Sequence, residues 1–285
     1  MNNILEVEGL GKDYRDFSLS NVCFTLPEDC IAGFVGINGA GKTTTIRTIL
    51  GLAKKSSGTV RMFGKDFSHN ETEIKNRIGV VLDEGYFYDD LSMAQMKGIL
   101  APAYSNWNEK AYLGCMERFS LDPRQKIATL SRGMRMKFAL TLALSHDAEL
   151  LIMDEPTSGL DPFVRSQFLD IIADFMQQGG KGVLFSTHIT SDLDKIADVL
   201  IMIHEGRIVL QQEKDWLLES HRLVKGDRKL LDEKTEPLLL NFEKTDFGFS
   251  GITNQPEAVH RSMPGVITEK PTIEDIMLGY IGGEK

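Results

Sequence analysis

Gly36-Ile-Asn-Gly-Ala-Gly-Lys-Thr-Thr44 is the stretch of this sequence that decides the fold. It has the spacing G-x-x-x-x-G-K-[ST], with an apolar run at 31–35 before it and a helical pattern at 42–50 after it. Glycines allow backbone N–H groups to curl around phosphate oxygens, and the start of the following helix adds a favourable dipole. The alternative is a tight glycine-rich turn that happens to precede a helix, and the flanking strand and helix disfavour it. The stretch therefore predicts a phosphate-binding turn.

Each part of this turn has an expected partner in a bound nucleotide. Lys42 is expected to reach the β- and γ-phosphates, and the Thr43 hydroxyl is expected to ligate Mg²⁺. The nucleotide-binding residues predicted from the turn are Gly36, Asn38, Gly39, Ala40, Gly41, Lys42, Thr43 and Thr44. The cofactors that follow from this prediction are ATP and Mg²⁺.

A second acidic motif follows the apolar segment Leu150-Leu-Ile-Met. This segment reads as a buried strand that delivers Asp154 and Glu155 to its carboxyl end, where ligands gather in open α/β sheets. Asp154 is a candidate ligand of Mg²⁺, and Glu155 is a candidate general base for the attacking water. Apolar strands that end in acids are common, so this motif gains its weight from the phosphate-binding turn that precedes it.

The rest of the chain alternates between strand and helix patterns. Strands are predicted at 4–7, 17–26, 31–35, 59–63, 150–153, 183–185 and 199–203. Helices are predicted at 92–104, 108–119 and 134–145, and a further helix is expected to begin at Asp161-Pro162 and to end at Gly179-Gly180. This order predicts an α/β fold with a mostly parallel, buried sheet, an antiparallel β portion on the N-terminal side and an inserted helical subdomain at about 84–146.

The composition changes after about residue 214. Residues 221–255 mix short strand-like runs with polar turns, and Thr272-Ile-Glu-Asp has the capping-box pattern that begins a helix. We therefore expect one domain over residues 1–214 and a small C-terminal α+β extension over 215–285.

Charge and cysteine content exclude several classes of protein. The net charge is −9, with 42% hydrophobic and 26% charged residues, which is typical of a globular protein and disfavours nucleic acid as a partner. The three cysteines show no metal-binding or disulfide spacing and are expected to act as small buried hydrophobic residues. Neither a signal peptide nor a run of about 20 apolar residues is visible, so a cytoplasmic location is expected.

Four further motifs carry a resemblance to a known family. Leu130-Ser-Arg-Gly-Met134 resembles the LSGGQ signature, Ser158-Gly-Leu-Asp161 resembles the D-loop, and His188 resembles the switch histidine. Tyr14 stands where the family carries an aromatic residue that stacks on adenine. In this order, the motifs resemble those of the nucleotide-binding subunit of an ABC transporter, over about residues 3–212.

The resemblance implies a P-loop NTPase core whose sites are shared between two ATPase subunits. Ser131 and Gly133, at the start of a helix, are expected to face the γ-phosphate held by the opposite subunit; Ser131 is also expected to cap its helix. His188 is expected to contact the γ-phosphate, although a lone histidine after a strand is usually structural. Tyr14 is equally open to a role in the core. The expected partners are a membrane permease and a second ATPase subunit, identical or paralogous, with the chain held peripherally at the inner face of the membrane.

The sequence departs from the family pattern at two places. Asp83 stands where the family has a glutamine that touches Mg²⁺; a carboxylate can still ligate the metal, but its charge opposes the triphosphate. Arg132 and Met134 replace a glycine and a glutamine of the signature. The ending Lys270-Pro-Thr-Ile-Glu-Asp-Ile-Met-Leu278 resembles that of ABC-2-type exporter ATPases and favours export of a drug, peptide or lipid-like compound.

Two rival functions stay open on the sequence alone. One is an ABC ATPase without a permease that works on DNA or the ribosome, although such proteins carry long coiled coils or tandem ATPase domains. The other is a regulatory module that binds nucleotide without hydrolysing it; Glu155 and His188 argue against it, while Asp83 keeps it open.

Overall fold

The structure is a computed structural model that describes residues 2–82 and 87–282. The strands in these ranges are β1 (Asn3–Asp13), β2 (Ser18–Pro27), β3 (Cys30–Val35), β4 (Ser57–Met62), β5 (Lys65–Asp66), β6 (Ile78–Val81), β7 (Leu150–Asp154), β8 (Gly182–Thr187), β9 (Val199–His204), β10 (Arg207–Glu213), β11 (Arg222–Gly226), β12 (Asn241–Thr245), β13 (Gly248–Thr253) and β14 (Ile267–Glu269). The helices are α1 (Lys42–Ile49), α2 (Glu71–Lys75), α3 (Met93–Leu100), α4 (Glu109–Arg118), α5 (Arg132–Leu144), α6 (Pro162–Met176), α7 (Thr190–Ile196), α8 (Lys214–Ser220), α9 (Pro256–Ser262) and α10 (Ile273–Ile281).

The central sheet has the strand order β10-β9-β3-β8-β7-β6. Neighbours from β9 through to β6 pair in parallel, and β10 joins β9 antiparallel. Every residue of β3, β7 and β8 is buried, as expected for strands that are covered on both faces. The predicted mostly parallel, buried sheet is therefore confirmed, and the carboxyl ends of β3, β7 and β8 lie side by side.

A second sheet, with the order β2-β1-β4-β5, is antiparallel throughout. It shares one apolar cluster with β3 and α1, in which the rings of Phe24 and Phe34 lie 5.5 Å apart. This sheet confirms the antiparallel portion that was predicted on the N-terminal side. The outward face of β2 carries Cys23, which is exposed, so the expectation that all three cysteines are buried was wrong.

Three helices, α3, α4 and α5, lie between β6 and β7, as the helical pattern predicted. The first of them ends at Leu100, and not at residue 104, because Pro102 lies in a 3₁₀ turn at Ala101–Ala103 and cannot continue an α-helix. The last begins at Arg132, two residues earlier than predicted. The Ser131 side chain caps it by accepting from the Met134 amide at 3.3 Å.

The C-terminal residues form a third antiparallel sheet with the order β12-β13-β11-β14. The capping box predicted at the last helix is present, because Thr272 and Asp275 each accept from the other's backbone amide. Residues Ile273 and Ile276 of α10 join the apolar cluster that also contains Leu193 of α7. The boundary expected at residue 214 stays a prediction.

Within the described ranges, every helix falls short of the length and apolar character that crossing a bilayer requires.

Candidate functional site

The turn between β3 and α1 is shaped by glycines. A Cβ atom on Gly36 would lie 2.4 Å from the backbone oxygen of Ile203 in β9, so no side chain fits there. Gly39 and Gly41 have φ angles of 82° and 114°, in the left-handed region that favours glycine. Gly41 caps α1, and its carbonyl accepts from the Thr45 amide at 2.8 Å. The turn is therefore fixed by backbone contacts that only glycine permits.

A cavity of about 610 Å³ opens at this turn. Its lining combines the turn with residues from the ends of β7 and β8 and from the β1–β2 connection: Tyr14, Phe17, Ile37, Asn38, Gly39, Gly41, Lys42, Thr43, Thr44, Glu155, Ser158 and His188. The structure thus brings together most of the nucleotide-site residues that the sequence predicted. Gly36 and Ala40 lie behind the surface of the cavity, and both are buried.

Three charged or ionisable side chains meet inside this cavity. The Lys42 side chain is only 6% exposed, and its ammonium donates to the Gly36 carbonyl at 2.7 Å and lies 3.2 Å from Oε1 of Glu155. Oε2 of Glu155 lies 2.7 Å from Nδ1 of His188 and accepts from the His188 amide at 3.3 Å. Lys42, Glu155 and His188 are therefore joined in one chain of contacts.

The backbone at Glu155 is unusual for a residue with a side chain. Its φ is 49°, in the left-handed region that few non-glycine residues adopt. Its amide donates to the Ser186 carbonyl at 3.0 Å, which fixes the first residue after β7 against β8. This conformation turns the chain sharply after Asp154 and leaves the Glu155 side chain in the cavity.

Asp154 is buried at the carboxyl end of β7 and is 3% exposed. Burial raises the pKa of this carboxyl group, and the hydroxyl groups of Ser186, at 2.6 Å, and Thr43 act in the opposite direction by donating hydrogen bonds. A buried carboxyl beside a hydroxyl is a pair of oxygen donors that fits a divalent cation such as Mg²⁺. Asp83, the third metal ligand expected from the sequence, lies outside the described residues.

Ser131 and Gly133 lie away from this cavity. Ser131 is exposed at the start of α5, and neither residue lines the cavity of Lys42. The signature turn instead adjoins the segment Ser158–Asp161: a Cβ atom on Gly159 would lie 3.2 Å from Nη1 of Arg132. Within one chain, the structure therefore does not bring the signature residues to the predicted phosphate site.

Asp161 caps α6 as the sequence predicted. Its Oδ1 accepts from the amides of Phe163 and Val164 at 3.1 Å and 3.0 Å. The cap holds the end of the segment that began at Glu155, so this segment is anchored at both ends.

Sequence reasoning missed some residues of the cavity. Phe17 lines it and packs behind the turn, where a Cβ atom on Gly41 would meet its ring at 2.9 Å. The Tyr14 amide donates to the Phe17 carbonyl at 2.9 Å, and this turn leaves Tyr14 52% exposed at the cavity. A second aromatic residue three positions after Tyr14 was the available signal. Ile37 and Ser158 also line the cavity without having been predicted as site residues.

Comparison with known proteins places the chain in a family. A family model described as "ABC transporter" matches residues 19–158. The chain is 33% identical over 225 residues to the bacitracin transport ATP-binding protein BcrA of Bacillus licheniformis, an alignment that covers 78% of this chain and 74% of that protein. The chain belongs to the ABC transporter ATP-binding family. This ABC ATPase is also 32% identical over 252 residues to the ABC-type transporter ATP-binding protein EcsA of Bacillus subtilis (strain 168), covering 86% of this chain and 99% of EcsA.

A solved structure gives the same assignment. The ABC ATPase superposes on the "Structure of ATP binding subunit of ABC transporter" with a TM-score of 0.69 and 26% identity, over 76% of this chain and 92% of that one. The P-loop ABC fold that the sequence predicted is thereby confirmed. Members of this family bind ATP and hydrolyse it to power transport, and the chain is a transporter ATPase of that kind.

The close approach at Gly36 leads to a prediction about stability. Gly36→Ala should lower the free energy of unfolding by about 2 kcal/mol or more, because the atom nearest to its Cβ is the backbone oxygen of Ile203, which β9 holds in place. Gly98→Ala is the control: Gly98 lies in α3 with nothing within 4 Å of the added atom, and helix propensity predicts a gain of about 0.5–1 kcal/mol. Urea denaturation measures both. Equal stabilities of the two variants would contradict the described turn.

Proposed function

We propose that this ABC ATPase powers a separate membrane permease by closing and opening an ATP-bound pair of ATPase subunits. The single observation that carries the proposal is the contact chain from Lys42 through Glu155 to His188 inside one cavity. A lysine and a candidate base around one cavity are groups that phosphoryl transfer uses, and the histidine offers a further donor to the terminal phosphate.

The nucleotide occupies the cavity at the glycine turn. Its phosphates lie against the amides of the turn and the start of α1, where the helix dipole favours negative charge. Lys42 reaches the β- and γ-phosphates, and a phosphate oxygen then competes with Glu155 for its ammonium. Tyr14, exposed at the cavity, offers its ring to the adenine base.

Thr43 and Asp154 hold Mg²⁺, and Asp83 is the third proposed ligand. The metal supplies positive charge that neutralises the phosphate oxygens. A cation beside Asp154 also favours the charged form of a carboxyl group whose pKa burial raises, so the residues present fit this ion. Ser186 keeps the carboxyl oriented through its hydroxyl.

Glu155 takes the proton of the attacking water in the hydrolytic step. Its two carboxyl oxygens contact Lys42 and His188, so the base is oriented from both sides. Negative charge develops on the γ-phosphate oxygens as the bond to the leaving group breaks. Lys42 and His188 stabilise that charge.

The second ATPase subunit completes each site. Ser131 and Gly133 lie at the start of α5, whose N-terminus offers amide groups and a positive dipole end, and they lie away from their own chain's cavity. An exposed anion-binding turn that is remote from its own phosphate site fits a role in the partner subunit's site. ATP then binds the two subunits together, and its hydrolysis to ADP favours opening.

A groove between the ATPase core and the helical region is the proposed contact for the permease. It has a volume of about 480 Å³ and is lined by Arg47, Leu50, Leu52, Lys75, Ile78, Val80, Leu82 and Tyr104. The leucines and isoleucine form an apolar floor, and two basic residues lie at it, which fits an amphipathic cytoplasmic helix of a permease. The strand β6 contributes Ile78 and Val80 to this groove, and in the sequence Asp83 follows two residues after the end of β6.

The cargo is proposed to be a drug, peptide or lipid-like compound that leaves the cell. BcrA is named for bacitracin transport, and the ending at Lys270–Leu278 resembles that of exporter ATPases. The same interpretation locates the chain at the cytoplasmic face of the membrane, held there by the permease. The rival ABC ATPase acting on DNA or the ribosome has less support, because the net charge is −9 and the relatives above are named as transport proteins.

The proposed base leads to a direct test of the mechanism. Glu155→Gln keeps the size and hydrogen-bonding of the side chain but removes the base, so ATP turnover should fall by at least about 100-fold. The variant should also accumulate an ATP-bound dimer, visible by size-exclusion chromatography with light scattering. Glu257→Gln, on the exposed face of α9, is the matched control and should hydrolyse ATP like the parent. Normal turnover in Glu155→Gln would refute Glu155 as the base.

The proposed permease groove leads to a second test. Leu52→Glu places a charge on the apolar floor, and it should lower retention of a polytopic membrane protein that co-purifies with the parent by at least about tenfold. Leu113→Glu is the matched control, because Leu113 on α4 is 57% exposed and Leu52 is 55% exposed. Both variants should hydrolyse ATP like the parent when isolated. Equal retention by the two variants would contradict the groove as the permease contact.

A further inference from the structure

A buried carboxyl group in α7 contacts the segment that carries the proposed base. Asp192 is 1% exposed, and its Oδ2 accepts from the hydroxyl of Thr157 at 2.7 Å. Thr157 is 0% exposed and lies two residues after Glu155. This contact joins residues that are 35 positions apart in the sequence.

The second oxygen of the same carboxyl group faces Arg165 of α6. Nη1 of Arg165 lies 3.8 Å from Oδ1 of Asp192, which is longer than a hydrogen bond. Neither Oδ1 of Asp192 nor the buried Nε of Arg165 has a hydrogen-bond partner among residues 2–82 and 87–282. A buried carboxyl group with only one of its oxygens hydrogen-bonded adds little to the stability of the fold. The free energy needed to remove the group from water is larger than the free energy that one hydrogen bond returns.

The positions of these three residues relate them to the site. The segment after β7 and the segment after β8 touch at the cavity through Glu155 and His188, and they touch again at Thr157 and Asp192. Arg165 lies one turn into α6, where its amide donates to the Asp161 carbonyl at 3.0 Å. Asp192 therefore contacts the proposed base segment through Thr157 and lies beside Arg165 of α6.

We infer that Asp192 is a positioning residue for ATP hydrolysis. Its hydrogen bond with Thr157 holds the segment from Glu155 to Asp161 at a fixed position relative to His188. Its contact with Arg165 makes the position of Asp192 depend on that of α6. The separation of 3.8 Å between Arg165 and Asp192 is longer than a hydrogen bond, so the length of this contact depends on how α6 and α7 pack against each other. The inference rests on the proposed roles of Glu155 and His188.

The test uses one variant that removes the Thr157 hydroxyl group and a second variant that keeps a hydroxyl group at this position. Thr157→Val keeps the shape of the side chain and deletes the donor, whereas Thr157→Ser keeps the donor. Thr157→Val should lower kcat at saturating ATP by about tenfold, the loss expected for one hydrogen bond to a carboxyl group, while the dissociation constant for ATP stays within about twofold. Thr157→Ser should keep at least about half of the parental kcat.

Two further variants separate positioning from folding. Asp192→Asn keeps an oxygen acceptor for Thr157 and removes the charge that faces Arg165, and it should lower kcat by less than Thr157→Val does. Thr253→Val is the control, because Thr253 is also 0% exposed and its hydroxyl donates to the Leu238 carbonyl at 2.6 Å, in the C-terminal sheet. It should lower the melting temperature without changing kcat.

The outcomes distinguish the inference from the proposed function. Parental kcat in Thr157→Val, or a loss that Thr157→Ser shares, would overturn the positioning role. An equal loss of kcat in Thr253→Val would also overturn it, because destabilisation alone would then explain the effect. Absence of ATP hydrolysis by the parent protein would instead count against the proposed function.

Discussion

The approach of the Gly36 backbone to β9 is the contact on which the rest of the site depends. A Cβ atom added to Gly36 would lie 2.4 Å from the backbone oxygen of Ile203, so the chain can turn from β3 into α1 here only because residue 36 has no side chain. The turn fixes Lys42 at the start of α1. Parallel pairing then aligns the carboxyl ends of β3, β8 and β7, because Val35 lies opposite Thr187 and Asp154 lies opposite Ser186.

Charge balance links this geometry to the chemistry. The cavity contains the buried Lys42 side chain, whose ammonium lies 3.2 Å from Glu155, and Asp154 is buried at the end of β7. Burial raises the pKa of Asp154, so the acid is held where its charge is costly unless a cation or a hydrogen bond offsets it. A triphosphate with the metal ion that we propose would supply both signs of charge to this site.

Local patterns in the sequence were sufficient to predict the glycine turn, the acidic strand end and the caps at Ser131, Asp161 and Thr272, because each depends on residues within a few positions of one another. The end of α3 was misjudged because apolar periodicity continues past Pro102, whose ring stops the helix. The pairing of the third sheet depends on contacts between distant segments, which no local pattern records.

The contact between Thr157 and Asp192 could not be predicted for the same reason. It exists only because β7 and β8 pair in parallel and because α7, which follows β8, contacts the segment that follows β7. No sequence motif predicts a hydrogen-bond partner for either residue. The sequence could therefore identify the groups that we propose to carry the chemistry, but not the group that we propose to position them.

The affinity for ATP of a Lys42→Ala protein tests the central claim most directly. Calorimetric titration with Mg²⁺ and ATP compares it with the parent and with Lys54→Ala, a change at an exposed lysine just beyond α1. The account predicts at least about 100-fold weaker binding for Lys42→Ala, because the phosphates lose a desolvated charge contact, and parental binding for Lys54→Ala. Parental affinity and turnover in Lys42→Ala would contradict the account.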